Sequence, residues 1–221
     1  MTEYTAIYEA GESLAALLRS ELTPEPVAKK EHIGLCEPQS PEDFQLTIWI
    51  YNIETVKDSG TRTGFQPDPD DPSQERFAPM QMKLHALISA HSKAPAIQKC
   101  ADEYRILGRA MQVVRDVPSI PPENLVGSLA EQTEPVLLEI IKLNGEELSR
   151  VWNNSSKTIR PSFAVDISQV FMQSNRVRSA APRITSAQFN TNPSVDRKNV
   201  HRSQSSRWQL LFRGKAACHE R

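Results

Sequence analysis

The sequence lacks the residues and runs on which several classes of protein depend. Its three cysteines, Cys36, Cys100 and Cys218, are far apart and odd in number. This pattern excludes a disulfide framework and indicates a reducing compartment. No apolar run approaches the roughly 20 residues that a membrane-spanning helix needs, and the first residues lack the charged-then-apolar pattern of a signal peptide. We therefore expect a protein that is made and assembled in the cytoplasm and does not insert into a membrane.

Catalytic and cofactor-binding motifs are also missing. There is no phosphate-binding glycine loop, no Cys/His spacing suited to zinc, and no Ser or Cys nucleophile in a recognisable elbow. His85 and His91 are six residues apart across a predicted strand end, which is not a usual ligand spacing. Asp68, Asp70 and Asp71 resemble a calcium loop only loosely, because the downstream Gly and Glu are absent. We expect no enzymatic activity, no metal, no cofactor and no small-molecule substrate.

Charge is abundant and unevenly divided. Residues 172–221 contain ten Lys or Arg and two acids, a net charge of +8, which leaves −9 for the rest. Near Ser174 the composition shifts to Ser, Asn, Gln, Pro and Arg, which predicts a globular domain over 1–173 and a basic, extended arm over 174–221. Such an arm would meet an acidic surface on a protein or on nucleic acid, or would serve only as a solubilising tail. The basic residues predicted to bind a partner are Arg176, Arg178, Arg183, Arg197, Lys198, Arg202, Arg207 and Arg213.

Four periodic segments predict a core of helices packed on a sheet. Phe44 to Tyr51 and Met80 to Ile88 alternate, which is the period of a strand with one buried face. Thr5 to Ser20 and Ala96 to Val114 repeat apolar residues three and four positions apart, as an amphipathic helix does. The second helix is predicted to bury Ile97, Cys100, Tyr104, Leu107, Met111 and Val114. The expected fold class is α/β (α+β): one mixed sheet flanked by an N-terminal helix and a long central helix.

Five further segments complete the predicted domain. Val136 to Leu143 is apolar on both faces, which is typical of an interior strand. His32 to Cys36 predicts a short strand and Glu146 to Asn153 a short helix. Ser162 to Phe171 predicts a last strand whose alternation slips at Val170 and Phe171, as at a β-bulge. Lys57 to Glu75 predicts a long loop.

The second face of the first alternating strand ends in two aromatic residues, Trp49 and Tyr51. A helix or a neighbouring subunit would have to cover them. The acids of the predicted loop, Asp68, Asp70 and Asp71, offer further surface. We predict that these five residues form a subunit interface.

Several short strings then occur in one order along the domain. They are Leu17-Leu18-Arg19, Tyr51-Asn52-Ile53, Arg76 with Pro79, Met82-Lys83-Leu84-His85-Ala86-Leu87, Leu107-Gly108-Arg109-Ala110-Met111 with Pro118, Glu147-Leu148 with Trp152, and Arg160-Pro161-Ser162. In this order and spacing, the chain from Tyr4 to Met172 resembles the N-terminal domain shared by cap, or tail-terminator, proteins of contractile injection systems. Those systems are phage-tail-like particles, of which the antifeeding prophage and the Photorhabdus virulence cassette are examples.

The resemblance implies a structural protein with a fold like that of phage tail terminators. Such proteins form a sixfold ring that closes the end of the tube and sheath distal to the baseplate, fixes the particle's length and anchors the sheath. The implied partners are other copies of the chain in a homo-hexamer, and the sheath and inner-tube proteins. The implied location is a particle that is either released or anchored.

One apolar island interrupts the basic arm. It lies between two arginines and consists of Trp208, Leu210, Leu211 and Phe212, with Gln209 among them. We predict that it pairs as an added strand with a sheath subunit or a neighbouring cap subunit. The alternative is that the island folds back on its own subunit.

A nucleic-acid-binding module is the alternative function that the basic arm allows. Modules that stack bases interleave aromatic and basic residues. The arm has only Phe189, Trp208 and Phe212 as aromatic residues, which makes this alternative the weaker one.

Overall fold

The computed structural model describes residues 4–56, 64–68, 71–152 and 159–180. These residues belong to one compact unit, Met1–Ala180, and a second unit, Ala181–Arg221, lies outside the described ranges. The helices and strands follow in the order α1 (Ala6–Leu22), β1 (Ile33–Leu35), β2 (Leu46–Thr55), β3 (Phe65–Pro67), β4 (Gln74–Phe77), β5 (Met80–Ala90), α2 (Ala96–Asp116), β6 (Leu137–Ile141), α3 (Gly145–Trp152), β7 (Ser162–Met172) and β8 (Val177–Ser179).

A five-stranded mixed sheet forms the centre of the domain, with its strands in the order β1-β2-β5-β7-β6. β1 runs parallel to β2, and the other neighbouring pairs are antiparallel. β2 and β5 form because β-branched and apolar residues recur on one face, while the other face carries polar residues together with Trp49 and Leu87. The predicted mixed sheet, N-terminal helix and long central helix are confirmed.

The main core lies between one face of this sheet and the two long helices. Leu14 and Leu18 of α1 are fully buried in one cluster with Leu84 of β5, Val114 of α2 and Ile167 of β7. Burial of each such side chain contributes roughly 1.5–3 kcal/mol. This layer is therefore the main source of stability in the described unit.

The buried stripe of α2 differs from the predicted one. Ile97 is 96% exposed, Tyr104 59% and Met111 41%, and Cys100 is exposed as well. The prediction was wrong for these four residues, whereas Leu107 and Val114 are buried as predicted. Ile106, Ala110 and Val113 repeat with the same helical period, and their side of the helix packs in the core. The apolar residues that α2 buries are Ile106, Leu107, Ala110, Val113 and Val114.

β6 is an edge strand of the main sheet, and its predicted interior position is wrong. Its two faces are apolar because a helix covers each of them. Leu138 and Ile140 pack in the core with α2, whereas Ile141 packs beside α3. Apolar residues on both faces of a strand show that both faces are covered, and they do not show whether a strand pairs with each edge.

Part of the predicted loop from Lys57 to Glu75 is ordered as strand. β3, the adjoining β4 and β8 form a separate three-stranded sheet in the order β3-β4-β8. The alternation in these strands is too short to stand out from the surrounding prolines and acids. β7 contains a bulge, which lies just before the predicted position. Met82 pairs with Val170 but Leu84 pairs with Ile167, and Gln169 between them has a positive φ of 61°.

Candidate interaction surfaces

The sheet face opposite the main core is divided into an apolar row and a charged row. Trp49, Leu87, Ala164 and Ile141 are register partners across four strands and form the apolar row. α3 packs on this row, and its Trp152 is 2% exposed. A helix of the same subunit therefore covers the apolar row.

Trp49 and Tyr51, two residues of the predicted subunit interface, lie half-buried beside α3. Their ring centroids are 6.3 Å apart. Tyr51 also lies next to the charged row, with its ring centroid 6.0 Å from that of His85. Burial, followed by the negative charge of Asp166, raises the pKa of Tyr51.

The charged row centres on a buried carboxylate. Asp166 is 2% exposed, and its Oδ1 lies 2.6 Å from His85 Nδ1 while its Oδ2 lies 2.5 Å from Lys83 Nζ. The hydrogen bond to Asp166 raises the pKa of Lys83. Removal of its partners would leave the buried charge of Asp166 unpaired, which would destabilise the fold. The three side chains therefore hold β5 and β7 together as a unit.

An open cleft of about 400 Å³ borders the charged row. His85 Nε2 is buried at its edge, 3.3 Å from Glu54 Oε1, without the alignment of a hydrogen bond. The cleft carries both signs of charge and lies beside α3. Its lining is Tyr51, Asn52, Glu54, His85, Ile141, Lys142, Leu143, Glu147, Arg150 and Val151.

The small sheet holds the first two arginines that the sequence assigns to the arm. The Arg176 guanidinium lies 5.1 Å from the ring centroid of Phe77, and that of Arg178 lies 4.1 Å from the ring centroid of Phe65. Arg178 also pairs with Glu75 at 2.6 Å. Exposed cation–π contacts contribute about 0.5–1 kcal/mol each, so both arginines take part in the fold of their own subunit.

The predicted acidic cluster is used partly within the subunit. Asp68 is 5% exposed and pairs with Arg76 Nη2 at 2.7 Å. Asp71 accepts hydrogen bonds from the Ser73 hydroxyl and from the Ser73 backbone N–H, which lower its pKa. The remaining predicted site residues lie outside the described ranges: Asp70, Arg183, Arg197, Lys198, Arg202, Arg207, Trp208, Leu210, Leu211, Phe212 and Arg213.

A surface that the sequence did not predict lies between α2 and β6. The groove there has a volume of about 640 Å³, and Met111 of the exposed apolar stripe of α2 lines it. The sequence did contain a signal for this surface, namely the apolar stripe of α2 that was predicted to lie in the core. The groove is lined by Gly108, Met111, Gln112, Val114, Arg115, Pro118, Leu138, Glu139 and Ile140.

Metal sites and membrane-spanning helices are both absent from the described ranges. No group of three or more His, Cys, Asp or Glu side chains among these residues is placed to hold a metal ion. None of the helices in these ranges is long and apolar enough to cross a membrane.

Comparisons with known proteins point in one direction. The family model described as the Pvc16 N-terminal domain matches residues 9–186. The fold is similar to the PVC sheath/tube terminator of an extracellular contractile injection system in its extended state, with a TM-score of 0.59, 15% identity, and coverage of 89% of this chain and 67% of that one. It is also similar to the tube-terminating cap of the anti-feeding prophage, with a TM-score of 0.51, 14% identity, and coverage of 80% and 58%. No curated protein is significantly similar in sequence.

Proposed function

Because the chain belongs to the Pvc16 N-terminal domain family, we propose that it is a structural cap of a contractile injection system. It closes the end of tube and sheath that lies away from the baseplate, sets the length of the particle and anchors the sheath. The observation that carries the proposal is the family match over residues 9–186. Two terminators of such particles support it, because they share the fold over most of this chain.

The proposed assembly is a homo-hexameric ring in contact with sheath and tube. A ring subunit needs two unlike surfaces, since a head-to-tail contact closes only by rotation. The described unit offers them: an apolar groove beside α2 and β6, and a charged cleft on the opposite sheet face. This ring would be assembled in the cytoplasm as part of the particle.

The proposed role is structural and not enzymatic, in keeping with the similar solved structures, which are a terminator and a cap. The alternative, nucleic-acid binding by the basic arm, finds little support in the arm's described residues. Arg176 and Arg178 stack on phenylalanines of the small sheet instead of standing free.

Deletion of the gene tests the proposal directly. Electron microscopy of particles from the deletion strain should show tubes and sheaths of irregular length, or few intact particles. Expression of the full chain from a plasmid should restore uniform particles. A normal length distribution without the protein would contradict the cap function.

A further inference from the structure

The groove between α2 and β6 has the features of a strand-binding site. Its lining combines the buried Val114 and Leu138 with the exposed Met111 and the half-buried Ile140. Gly108 leaves one wall open, because a Cβ built there meets nothing within 4 Å. No described residue covers this apolar surface.

The outer edge of β6 is occupied at its start by residues 118–120 and open over residues 139–141. The strand pairs with β7 on one side. On the other side, Leu137 bridges Ser119, and Leu138 N–H donates to the carbonyl of Pro118 at 2.8 Å. Antiparallel geometry points the N–H of Ile140 the same way as that of Leu138, and no other described strand lies beyond it. An open edge of this kind accepts an added strand.

The island in the basic arm has the pattern of such a strand. In an extended segment Trp208, Leu210 and Phe212 share one face. The other face carries Arg207 and Arg213 at its two ends. The island is five residues long, enough to pair with the open residues 139–141 of the edge and to extend past them. Its single large apolar face matches a groove that lies on one side of that edge.

We infer that residues Trp208–Phe212 of one copy add as a strand to the β6 edge of a neighbouring copy. The inference rests on the proposed ring. Trp208, Leu210 and Phe212 fill the groove beside α2, and the two arginines lie on the face of the exposed Glu139. The 27 residues from Ala181 to Arg207 span at most about 90 Å, enough to reach an adjoining subunit. The net charges of the two parts of the chain, +8 and −9, favour the same contact.

A side chain placed in the groove should block the contact without harm to the fold. Gly108→Gln in the full chain adds a bulky residue where space is free, and glutamine favours a helix more than glycine. We expect an unchanged or higher melting temperature and self-association that is weaker by roughly tenfold or more, measured by sedimentation. Gly145→Gln is the matched control, since a Cβ at Gly145 in α3 also meets nothing within 4 Å, and it should associate normally.

The arm offers a second matched pair. Leu210→Asp places a charge on the groove-facing side of the strand, whereas Leu211→Asp places it on the arginine face. The first variant should lose self-association and the second should retain most of it. Equal effects of the two variants, or full association of Gly108→Gln, would overturn the inference.

Cross-linking distinguishes contacts between copies from contacts within one copy. The full chain, with photoreactive benzoylphenylalanine in place of Phe212, is prepared in ¹⁴N and ¹⁵N forms, mixed and irradiated. Peptides that join a light residue 212 to a heavy segment 105–118 or 136–143 support the inference. Cross-links confined to single copies, or to other segments, refute it. If these cross-links form but particles of the deletion strain keep their normal length, the cap function fails and the contact stands.

Discussion

Glu9 is a buried carboxylate that fastens α1 to the 3₁₀ turn Gly127–Glu131. Its oxygens accept hydrogen bonds from the Thr5 hydroxyl at 2.6 Å and from the Ser128 backbone N–H at 3.0 Å and hydroxyl at 2.5 Å. Burial alone would raise the pKa of Glu9, but these hydrogen bonds outweigh it and the pKa is lowered. The turn can approach so closely because its first residue is glycine, with φ +64° and a Cβ position 2.5 Å from Glu9 Oε1.

Gly127→Ala should therefore lower the free energy of unfolding by roughly 2 kcal/mol or more, because it adds strain at positive φ and a clash with the carboxylate. Urea unfolding followed by circular dichroism measures this change. Gly145→Ala is the control and should be neutral or slightly stabilising. Equal stability of the two variants would show that the Glu9 contact is not tight.

His91 makes stability depend on pH. It is 5% exposed and hydrogen-bonded to Thr47 at 3.1 Å, and burial, with the charges of Arg160 and Lys99, lowers its pKa from 6.5 to about 4. The folded state thus takes up the proton at a lower pH than the unfolded state does. Stability is lost as the pH falls from about 6.5 toward 4, by up to about 3 kcal/mol. In urea titrations at pH 7 and pH 4.5, His91→Gln should show a smaller pH-dependent loss than the unmodified chain; an identical loss would contradict this role.

Periodicity predicted which elements exist but not which surfaces they bury. Alternation placed β2, β5 and β7 correctly because each buries one face against α1 and α2. The helical periodicity of α2 predicted a buried face that is partly wrong, because Ile97, Tyr104 and Met111 have the same spacing as a core stripe. For β6 the pattern correctly predicted that both faces are covered, but it could not show that the strand lies at the edge of the sheet. The ion pairs of Asp166 join residues over 80 positions apart, and no local pattern predicts them.

The predicted domain boundary at 173/174 can be tested by two truncations. β8 lies beyond that boundary and pairs with β4. A chain that ends at Ala180 should unfold cooperatively, as should one that ends at Gln173, because the main sheet is complete at Met172. The shorter chain should be less stable by about 1–2 kcal/mol, since it loses the β8 pairing and both arginine–aromatic contacts. Thermal unfolding measures both, and a molten, aggregating shorter chain would show that the boundary is misplaced.

The arm gives a prediction for the whole particle. Trp208→Asp combined with Leu211→Asp should detach the cap from sheathed particles, because Trp208→Asp places a charge on the groove-facing side of the island. The melting temperature of the isolated protein should stay nearly constant. Attachment of the unmodified cap should weaken as salt rises, since the flanking arginines contribute by charge. A large drop in melting temperature with attachment intact would mean that the island belongs to the fold of its own subunit.

The family could be predicted from the sequence, and the surfaces could not. The strings 82–87 and 107–111, on which the resemblance partly rests, place Met82, Leu84 and Leu107 in the core of this one subunit. Contacts between copies form between residues of separate chains, and a short string within one chain does not indicate which residues those are. The predicted interface residue Asp68 illustrates the limit, since its carboxylate is paired with Arg76 inside the same subunit.

The short strand β8 has a mechanical consequence. β7 is hydrogen-bonded on both sides and leads directly to β8, which is held by three residue pairs to β4. A pulling force transmitted through residue 181 acts first on those three pairs. β7 resists the same force more strongly, because its hydrogen bonds to both neighbouring strands are loaded in shear at the same time. Release of residues 173–180 would lengthen the tether by about 25 Å. When a contracting sheath pulls on the cap, the pairs between β8 and β4 would therefore open reversibly before the main sheet bears the force.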